Sequence, residues 1–504
     1  MDSHRTPAAY RIADTLSGIL ILALVVFAPW AFGCTVAWAV HTVTVVGYTL
    51  GGLLLVKGIT RWREDYTPDR WVEHDGMGRW IVRLFVSLTL VLLGIVLIGW
   101  LNGRADVVFS DVGPALEYRQ RTPIAWLPAS YDAARSFRGL VRYASWALIF
   151  WATRDWVITK TRRERHHSTE GIFPTARVRQ FLWTLCISSA VMALVAIAHR
   201  LEGSSDKVLW IMKFPLMNAS ESIWGSFPYR ANGAQYFNLV WPVCLGFWWA
   251  LRERSAALEK RPSGIGNDPS MILLPCTVLL AACPILATSR GGVLIMVGLL
   301  GGALLILALS QGRTGRTGRI VAATLFLITL GGGWFLGGEE LQKRFLTVFE
   351  DKMSNRLAIY EVAHRMADEA GFWGLGAESY TGLNGLYRTR PEDTWEGFVH
   401  DDWLEARINV GWAGVGLVVA LLLMLPAHWS TGRGIRAPRE FTGLLALSLL
   451  GILVHAKFDL PFQITSLVVM FLLLSAVGLT SAPRATATLP SRTHPEGGGR
   501  RHRA

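Results

Sequence analysis

Residues 84–101 read LFVSLTLVLLGIVLIGWL, eighteen positions without a charged side chain. A helix rises about 1.5 Å per residue, so this run spans about 27 Å, close to the roughly 30 Å thickness of a hydrocarbon core, and an apolar run of this length is a transmembrane candidate. Similar apolar runs recur along the whole chain, which is 51% hydrophobic and contains 22 Trp residues. The sequence therefore predicts an all-α polytopic membrane protein.

On both sides of that run, hydropathy predicts further transmembrane helices, about twelve in total. They lie at 14–33, 35–56, 82–101, 140–157, 180–199, 234–251, 271–288, 291–309, 320–337, 408–427, 441–456 and 462–480. The fourth is the most polar, because Arg154 and Asp155 lie within it. The five Cys residues lie in or beside these runs without metal-ligand spacing, which predicts packing roles.

The spans divide the chain into four parts. Residues 1–337 hold helices 1–9 with their loops, and 338–407 form a long, partly helical loop between spans 9 and 10. Residues 408–482 hold helices 10–12. The tail at 483–504 is rich in Pro, Gly, Thr and Arg, a composition that predicts disorder.

The Lys and Arg residues that give the net charge of +13 lie mainly in the loops between the spans. Lys and Arg concentrate in alternate segments, which the positive-inside rule assigns to the cytoplasm. These segments are 57–83, 158–179, 252–261, 313–319, 433–439 and 484–503. Both termini are then cytoplasmic. Because the basic charge is explained by membrane topology, we expect no nucleic-acid partner.

A polar cluster, Thr288-Ser289-Arg290-Gly291-Gly292, lies on the opposite face at a tight turn between two spans. A guanidinium group offers a rigid fork of donors to phosphate oxygens, and Ser289 and the glycine amides can add donors. The cluster is thus a candidate anion clamp. A snorkelling interfacial arginine is the alternative interpretation of Arg290.

The loop at 338–407 supplies a second arginine. Leu357, Tyr360, Ala363 and Met366 recur every three positions between Asn355 and Ala370, which predicts an amphipathic helix that Ser354 could cap and Gly371 could end. Arg356 falls in its first turn, where free amides and the helix dipole favour an anion. A surface arginine on an ordinary interfacial helix is the alternative.

His400-Asp401-Asp402 comes directly before the tenth span. Imidazole can accept a proton near neutral pH, and a neighbouring carboxylate can orient it. Asp401 or Asp402 could instead cap the helix that follows. Consecutive helical residues do not face one another, so this spacing argues against a metal site.

Two more segments share the same face. His455 and Asp459 lie four positions apart between the last two spans, which predicts a hydrogen-bonded pair on one helical face. Arg230 and Asn232 precede the sixth span and could line a sugar or phosphate pocket. A turn with a helix-capping Asn is the alternative for that segment.

Taken in order, these clusters resemble the O-antigen ligase and O-antigen polymerase (Wzy-C) superfamily of bacterial membrane glycan transferases. The resemblance covers about 200–470. It rests on Tyr229-Arg230-Ala231-Asn232, Ala287-Thr288-Ser289-Arg290-Gly291, Asn355-Arg356-Leu357, Gly374-Leu375-Gly376, His400-Asp401-Asp402-Trp403-Leu404 with Gly411, and His455 to Pro461. One position departs: the superfamily usually has His-Asn-Asp where this chain has His400-Asp401-Asp402.

The resemblance implies a metal-independent, cofactor-free glycosyltransferase with a GT-C-like fold. Its donor would be an undecaprenyl-diphosphate-linked glycan, and its acceptor a lipid A-core sugar or another glycan. It would lie among the lipids of the bacterial inner membrane, with its active site facing the periplasm. The implied catalytic residues are His400, Arg290 and Arg356; the implied substrate-binding residues are Ser289, Arg230, Asn232, Asp401, Asp402, His455 and Asp459.

Other functions fit the same pattern. A polymerase of O-antigen or exopolysaccharide from the same superfamily would need the same diphosphate clamp and activated hydroxyl. A membrane anion transporter of the bicarbonate type would use the arginines to pass an anion, although the sequence shows no convincing inverted repeat.

Overall fold

The structure, a computed structural model, describes most of the chain. The described residues are 6–71, 76–111, 113–120, 123–162, 164, 173–203, 207–213, 222–258, 268–310, 353–388, 397–432 and 434–483, with scattered positions between 320 and 342. The predicted ninth span and the tail at 484–504 therefore lie largely or wholly outside the described residues.

Helices dominate the described residues, as the sequence predicts. They are α1 Ala8–Trp30, α2 Ala37–Arg63, α3 Gly76–Leu101, α4 Ala133–Ile158, α5 Ala176–Glu202, α6 Arg230–Leu258, α7 Leu273–Leu286, α8 Arg290–Ala308, α9 Met353–Ala370, α10 Tyr380–Leu383, α11 Asp402–Ser430, α12 Arg439–His455 and α13 Thr465–Thr480. Short 3₁₀ turns occur at Phe32–Cys34, Pro269–Ile272, Asn384–Leu386 and Pro461–Gln463.

Within the described part of the chain, seven helices are long and apolar enough to cross a membrane. They are α1, α2, Gly78–Leu101 of α3, α5, Pro269–Leu286 around α7, α8 and α11. The shorter α13 is also apolar. The predicted spans 140–157 and 234–251 fall within α4 and α6, and the predicted span 441–456 ends one residue beyond α12. A polytopic helical protein is thus supported, and the number twelve stays a prediction.

Three small strand pairs depart from the all-α prediction. An antiparallel hairpin joins β1 Ala105–Ser110 to β2 Gly113–Tyr118, and a second joins β3 Lys207–Val208 to β4 Met212–Lys213. A parallel pair joins β5 Ile435–Ala437 to β6 Ser481–Pro483. The first hairpin has a sequence signal, because Val107, Val108 and Phe109 are residues that favour strands.

Helix α6 is the centre of the bundle. Every residue from 231 to 250 is buried, including the large side chains of Trp241, Trp248 and Trp249. Helix α12 packs against it, where the buried Ser448 hydroxyl donates to the Leu239 carbonyl. A helix enclosed on every side is expected to be apolar all round, so polar residues on α6 need an explanation.

The loop after α9 is fixed to α11 through two glycines. Gly411 has φ +64° and interrupts α11, so that the carbonyls of Ile408 and Asn409 accept hydrogen bonds from the amides of Leu375 (2.8 Å) and Gly376 (3.1 Å). A Cβ on Gly374 would lie 2.6 Å from the Asn409 carbonyl oxygen. This contact needs glycine on both sides, and it holds the loop at 371–376 against the amino-terminal part of α11.

Helix α9 begins two residues earlier than the sequence pattern predicts, and its buried face is shifted. Val362, Ala363, Met366 and Ala367 pack in one cluster with Ile408 of α11, whereas Leu357 is 59% exposed. The predicted apolar row at every third position was therefore wrong at Leu357. Gly371 ends the helix with φ +59°, as predicted.

A buried ion network ties four helices together at the end that we predict to be cytoplasmic. Lys57 of α2 is fully buried and donates to Asp155 of α4 (2.7 Å) and Asp14 of α1 (3.3 Å). Arg61 pairs with Asp155, and Arg177 of α5 with Asp14. These contacts explain how α4 can hold Asp155 within an otherwise buried helix end.

We predict that Lys57→Met lowers the apparent melting temperature of the detergent-purified protein by several degrees. Removing one partner of a buried ion pair typically costs about 3–5 kcal/mol, because the remaining charges stay buried. The control is Arg11→Met, which removes an exposed cation from α1. Equal melting of the Lys57 variant and wild type would show that the network does not stabilise the bundle.

Candidate functional site

The Thr288–Gly292 turn sets the start of α8. Ser289 caps the helix, with its hydroxyl accepting from the Gly292 amide at 3.2 Å, and Arg290 is the first helical residue. Thr288 has φ +52°, an unfavourable conformation for a β-branched residue. Arg200, at the end of α5, donates to the Thr288 hydroxyl at 3.2 Å. Two arginines therefore lie at a helix N-terminus, the part of a helix that attracts anions.

Helix α6 packs directly against this turn. A Cβ on Gly292 would lie 2.6 Å from the Ala234 methyl group, and the Asn238 amide nitrogen donates to the Gly292 carbonyl at 2.8 Å. Arg230 is the first residue of α6, and Asn232 is buried two residues later. The predicted Arg230–Asn232 segment thus begins the helix that contacts the Thr288–Gly292 turn.

His455 closes the other side of the turn. A Cβ on Gly291 would lie 3.1 Å from His455 Nε2, so the imidazole packs against the first turn of α8. Helix α12 ends at His455, and the Asp459 amide donates to the His455 carbonyl at 3.1 Å, so one further turn connects the two residues. The predicted hydrogen bond between their side chains stays a prediction. The Asp459 carboxylate pairs with another histidine.

That histidine is His400. Its Nδ1 lies 3.0 Å from Asp459 Oδ1, and both side chains are buried. A carboxylate only accepts, so Nδ1 carries the proton and a neutral ring presents Nε2 as the acceptor. His400 has φ +59°, and its carbonyl accepts from the Tyr360 hydroxyl at 3.2 Å. The Tyr229 ring lies edge-on, with centroids 6.4 Å apart.

Asp401 caps α11, one of the two possibilities open from the sequence. Its Oδ1 accepts from the Leu404 amide at 3.1 Å, and its Oδ2 accepts from the half-exposed Lys457 ammonium group. An Asn would cap the helix equally well. Lys457 offsets the extra negative charge that the carboxylate brings, which accounts for Asp401 where the superfamily usually has Asn.

Asp402 joins α11 to the turn after α12. Its carboxylate accepts from the Phe462 amide at 2.7 Å and the Gln463 side-chain amide at 3.1 Å, while its own amide donates to the Ala456 carbonyl at 2.8 Å. Asp402 thus holds the 456–463 segment in place, and with it Asp459. These contacts of Asp402 join two parts of the chain to each other.

The 338–407 segment reaches this cluster through α9. Arg356 lies in the first turn of α9, and its side chain is outside the described part of the structure. Tyr360, one turn further along, makes the contact with the His400 carbonyl. A surface cavity of about 520 Å³ lies further along the segment, lined by Arg365, Asp368, Glu369, Leu386, Tyr387 and Arg388. Burial and the hydrogen bond with Glu369 raise the pKa of Tyr387.

The structure therefore brings together four sequence clusters that are distant along the chain: 229–232, 288–292, 400–402 and 455–463. Sequence reasoning missed Arg200, Tyr360 and Gln463, and it quoted Tyr229 only as part of a motif. Arg200 had a signal, because a basic residue at a predicted outer helix end departs from the positive-inside rule. The others look like ordinary residues of a helix or turn until the fold is known.

A comparison with protein families supports the same region. Residues 275–419 match the family model for O-antigen ligase. The match includes Arg290, Arg356 and His400–Asp402, so the resemblance seen in the sequence is confirmed there. The match supports the assignment of the chain to the membrane glycosyltransferases of the O-antigen ligase and polymerase superfamily, whose substrates are lipid-linked glycans. No curated protein matches the chain.

We predict that Asp401→Asn and Asp402→Asn differ sharply in stability. At position 401 the cap remains and only a partly exposed ion pair is lost, a cost of about 1 kcal/mol or less. At position 402 an Asn has only one side-chain oxygen, so it cannot accept from both Phe462 and Gln463, and a buried donor left without a partner costs about 1–3 kcal/mol. Thermal melting of the two purified variants measures this difference. Equal melting would contradict the roles given to the two carboxylates.

Proposed function

We propose that the protein is an O-antigen ligase-like enzyme of the bacterial inner membrane. It moves a glycan from undecaprenyl diphosphate to a hydroxyl of a lipid A-core sugar on the periplasmic face. The observation that carries the proposal is the buried His400–Asp459 pair, which His455 connects to the arginine-bearing start of α8. In the proposal this pair supplies a proton acceptor and the start of α8 supplies an anion site, and glycan transfer from a diphosphate needs both.

His400 is the proposed base. With Asp459 accepting from Nδ1, Nε2 takes the proton of the acceptor hydroxyl. The hydroxyl oxygen forms a bond to the anomeric carbon as the bond from that carbon to the diphosphate oxygen breaks. The bonding electron pair leaves with undecaprenyl diphosphate. The buried Asp459 carboxylate then stabilises the protonated imidazole, and direct displacement inverts the anomeric configuration.

Arg290 and Arg356 are proposed to bind the diphosphate. Negative charge grows on the leaving diphosphate as the bond breaks, and donors fixed in advance stabilise it best. Arg290 lies at the amino end of α8, where the dipole adds to its charge. Arg200 orders the preceding turn by its bond to Thr288, and belongs to the same anion site. These cations would neutralise the charge of the leaving diphosphate, as a metal ion does in other transferases. Transfer should therefore proceed in the presence of EDTA.

The surface cavity of the 338–407 segment is the proposed place for the acceptor glycan. Its volume of about 520 Å³ falls in the range of roughly 300–1,000 Å³ usual for ligand sites. Carboxylates, guanidinium groups and a tyrosine line it, and such groups bind hydroxyls well. Helix α9 connects it to His400 through Tyr360.

The surface glycan of a deletion strain tests this function. We expect bare lipid A-core, with long glycan accumulating on undecaprenyl diphosphate. The wild-type gene should restore the ligated form. The amount of ligated glycan should be lower by about 10²-fold or more with Arg290→Ala or His400→Ala, because each change removes a group that acts in the transition state.

The matched control is Arg436→Ala, which removes an exposed arginine of β5 and should complement fully. Membrane levels of every variant are compared by immunoblotting. Single repeat units on the core would indicate a polymerase instead. Full rescue by both Arg290→Ala and His400→Ala would refute the glycosyltransferase function.

A further inference from the structure

Helix α6 carries a row of buried amide side chains next to the site. Asn232, Gln235 and Asn238 recur every three residues and are 2%, 1% and 3% exposed. Among the described residues, neither polar atom of the Gln235 carboxamide has a hydrogen-bond partner, and the oxygens of Asn232 and Asn238 have none either. The orientation of the Asn238 carboxamide is fixed because its nitrogen donates to the Gly292 carbonyl, so the atom without a partner is the oxygen.

This arrangement is costly for a helix enclosed on all sides. The positions from 231 to 250 are all buried, so these amides cannot turn towards bulk water. A buried polar group without a partner loses the free energy of its hydration and gains nothing in return. Helix packing alone would favour apolar residues at these positions. The row therefore indicates a polar ligand.

The row lies directly beside the proposed reaction centre. Ala234, adjacent to Gln235, contacts Gly292 in the first turn of α8. On the neighbouring α12, the Ser448 hydroxyl donates to the Leu239 carbonyl of α6. His455 lies seven residues, or about 10 Å, beyond Ser448 on α12. Since α6 and α12 run in opposite directions, His455 is level with Asn232. Gln235 is then about one turn deeper, between α8 and α12.

The unpaired atoms identify the ligand's chemistry. A phosphate at neutral pH offers mainly acceptor oxygens, and it cannot satisfy amide oxygens. A sugar hydroxyl both donates and accepts, and it matches a carboxamide whose oxygen and nitrogen are both unpaired. A neutral amide is also a weak partner for a diphosphate compared with the arginines nearby.

We propose that Gln235, with Asn232 and Asn238, binds hydroxyl groups of the sugar attached to the diphosphate of the donor. The arginines then bind the diphosphate, and the α6 amides recognise the first sugar. This inference rests on the proposed function and deepens it. It makes Gln235 a residue that determines donor specificity, since a site built to bond a hydroxyl rejects a donor that lacks it.

Binding of two lipids to the purified protein tests the assignment. One is bare undecaprenyl diphosphate, and the other is the glycan-carrying lipid extracted from the deletion strain. We expect Gln235→Met to weaken binding of the glycan-carrying lipid by about tenfold or more. Binding of the bare lipid should not change. Gln180→Met, at an exposed position on α5, is the matched control and should bind both lipids normally.

Thermal melting without lipid separates a ligand role from a structural one. If the carboxamide serves a ligand, Gln235→Met melts at or above the wild-type temperature, because no internal hydrogen bond is lost. A lower melting temperature, weakened binding of both lipids, or unchanged binding of the glycan-carrying lipid would each overturn the assignment. If wild type binds neither lipid, the proposed function itself fails.

Discussion

The hydrogen bond between His400 and Asp459 is the interaction on which the site depends. It joins His400, two residues before α11, to the turn after α12, and both side chains are buried. Asp402 reinforces the same junction by accepting from Phe462 and Gln463. A buried carboxylate and imidazole must be fully paired to be tolerated, so this junction also fixes the histidine tautomer.

A second constraint is the placement of cations. The predicted positive-inside topology assigns most Lys and Arg to one face, so an arginine predicted at the opposite face needs a local reason. Arg200 and Arg290 both lie at the start of α8, where they surround a helix N-terminus that already attracts anions. Two arginines at one helix N-terminus, close to His455, are the basis for proposing an anion site there.

Sequence patterns predicted the helical fold and the main site clusters, because both depend on local signals. Hydropathy predicted the long apolar helices, of which seven among the described residues could cross a membrane, and polar residues at predicted span ends pointed to Arg290 and His400. Pairing was less predictable. The spacing of four pointed to His455 as the partner of Asp459, whereas the bond of the Asp459 carboxylate to His400, 59 residues away, has no local signal.

The remaining errors have the same origin. Leu357 fits a three-residue period, yet the packing of α9 on α11 leaves it exposed. The β1–β2 hairpin in an outer segment was missed because a short strand signal is weak beside long apolar spans. Gln235 could not be recognised at all, since its importance comes from enclosure on every side, a property of the assembled bundle.

The central claim is that Asp459 holds His400 as the base for glycan transfer. The most direct measurement is the rate of transfer by purified Asp459→Asn enzyme, with glycan-linked undecaprenyl diphosphate and lipid A-core as substrates. The account predicts that kcat falls by roughly 10²- to 10⁴-fold while KM for the donor changes little, since Asp459 acts on the histidine and not on the diphosphate. A folded Asp459→Asn enzyme with wild-type kcat would contradict the account.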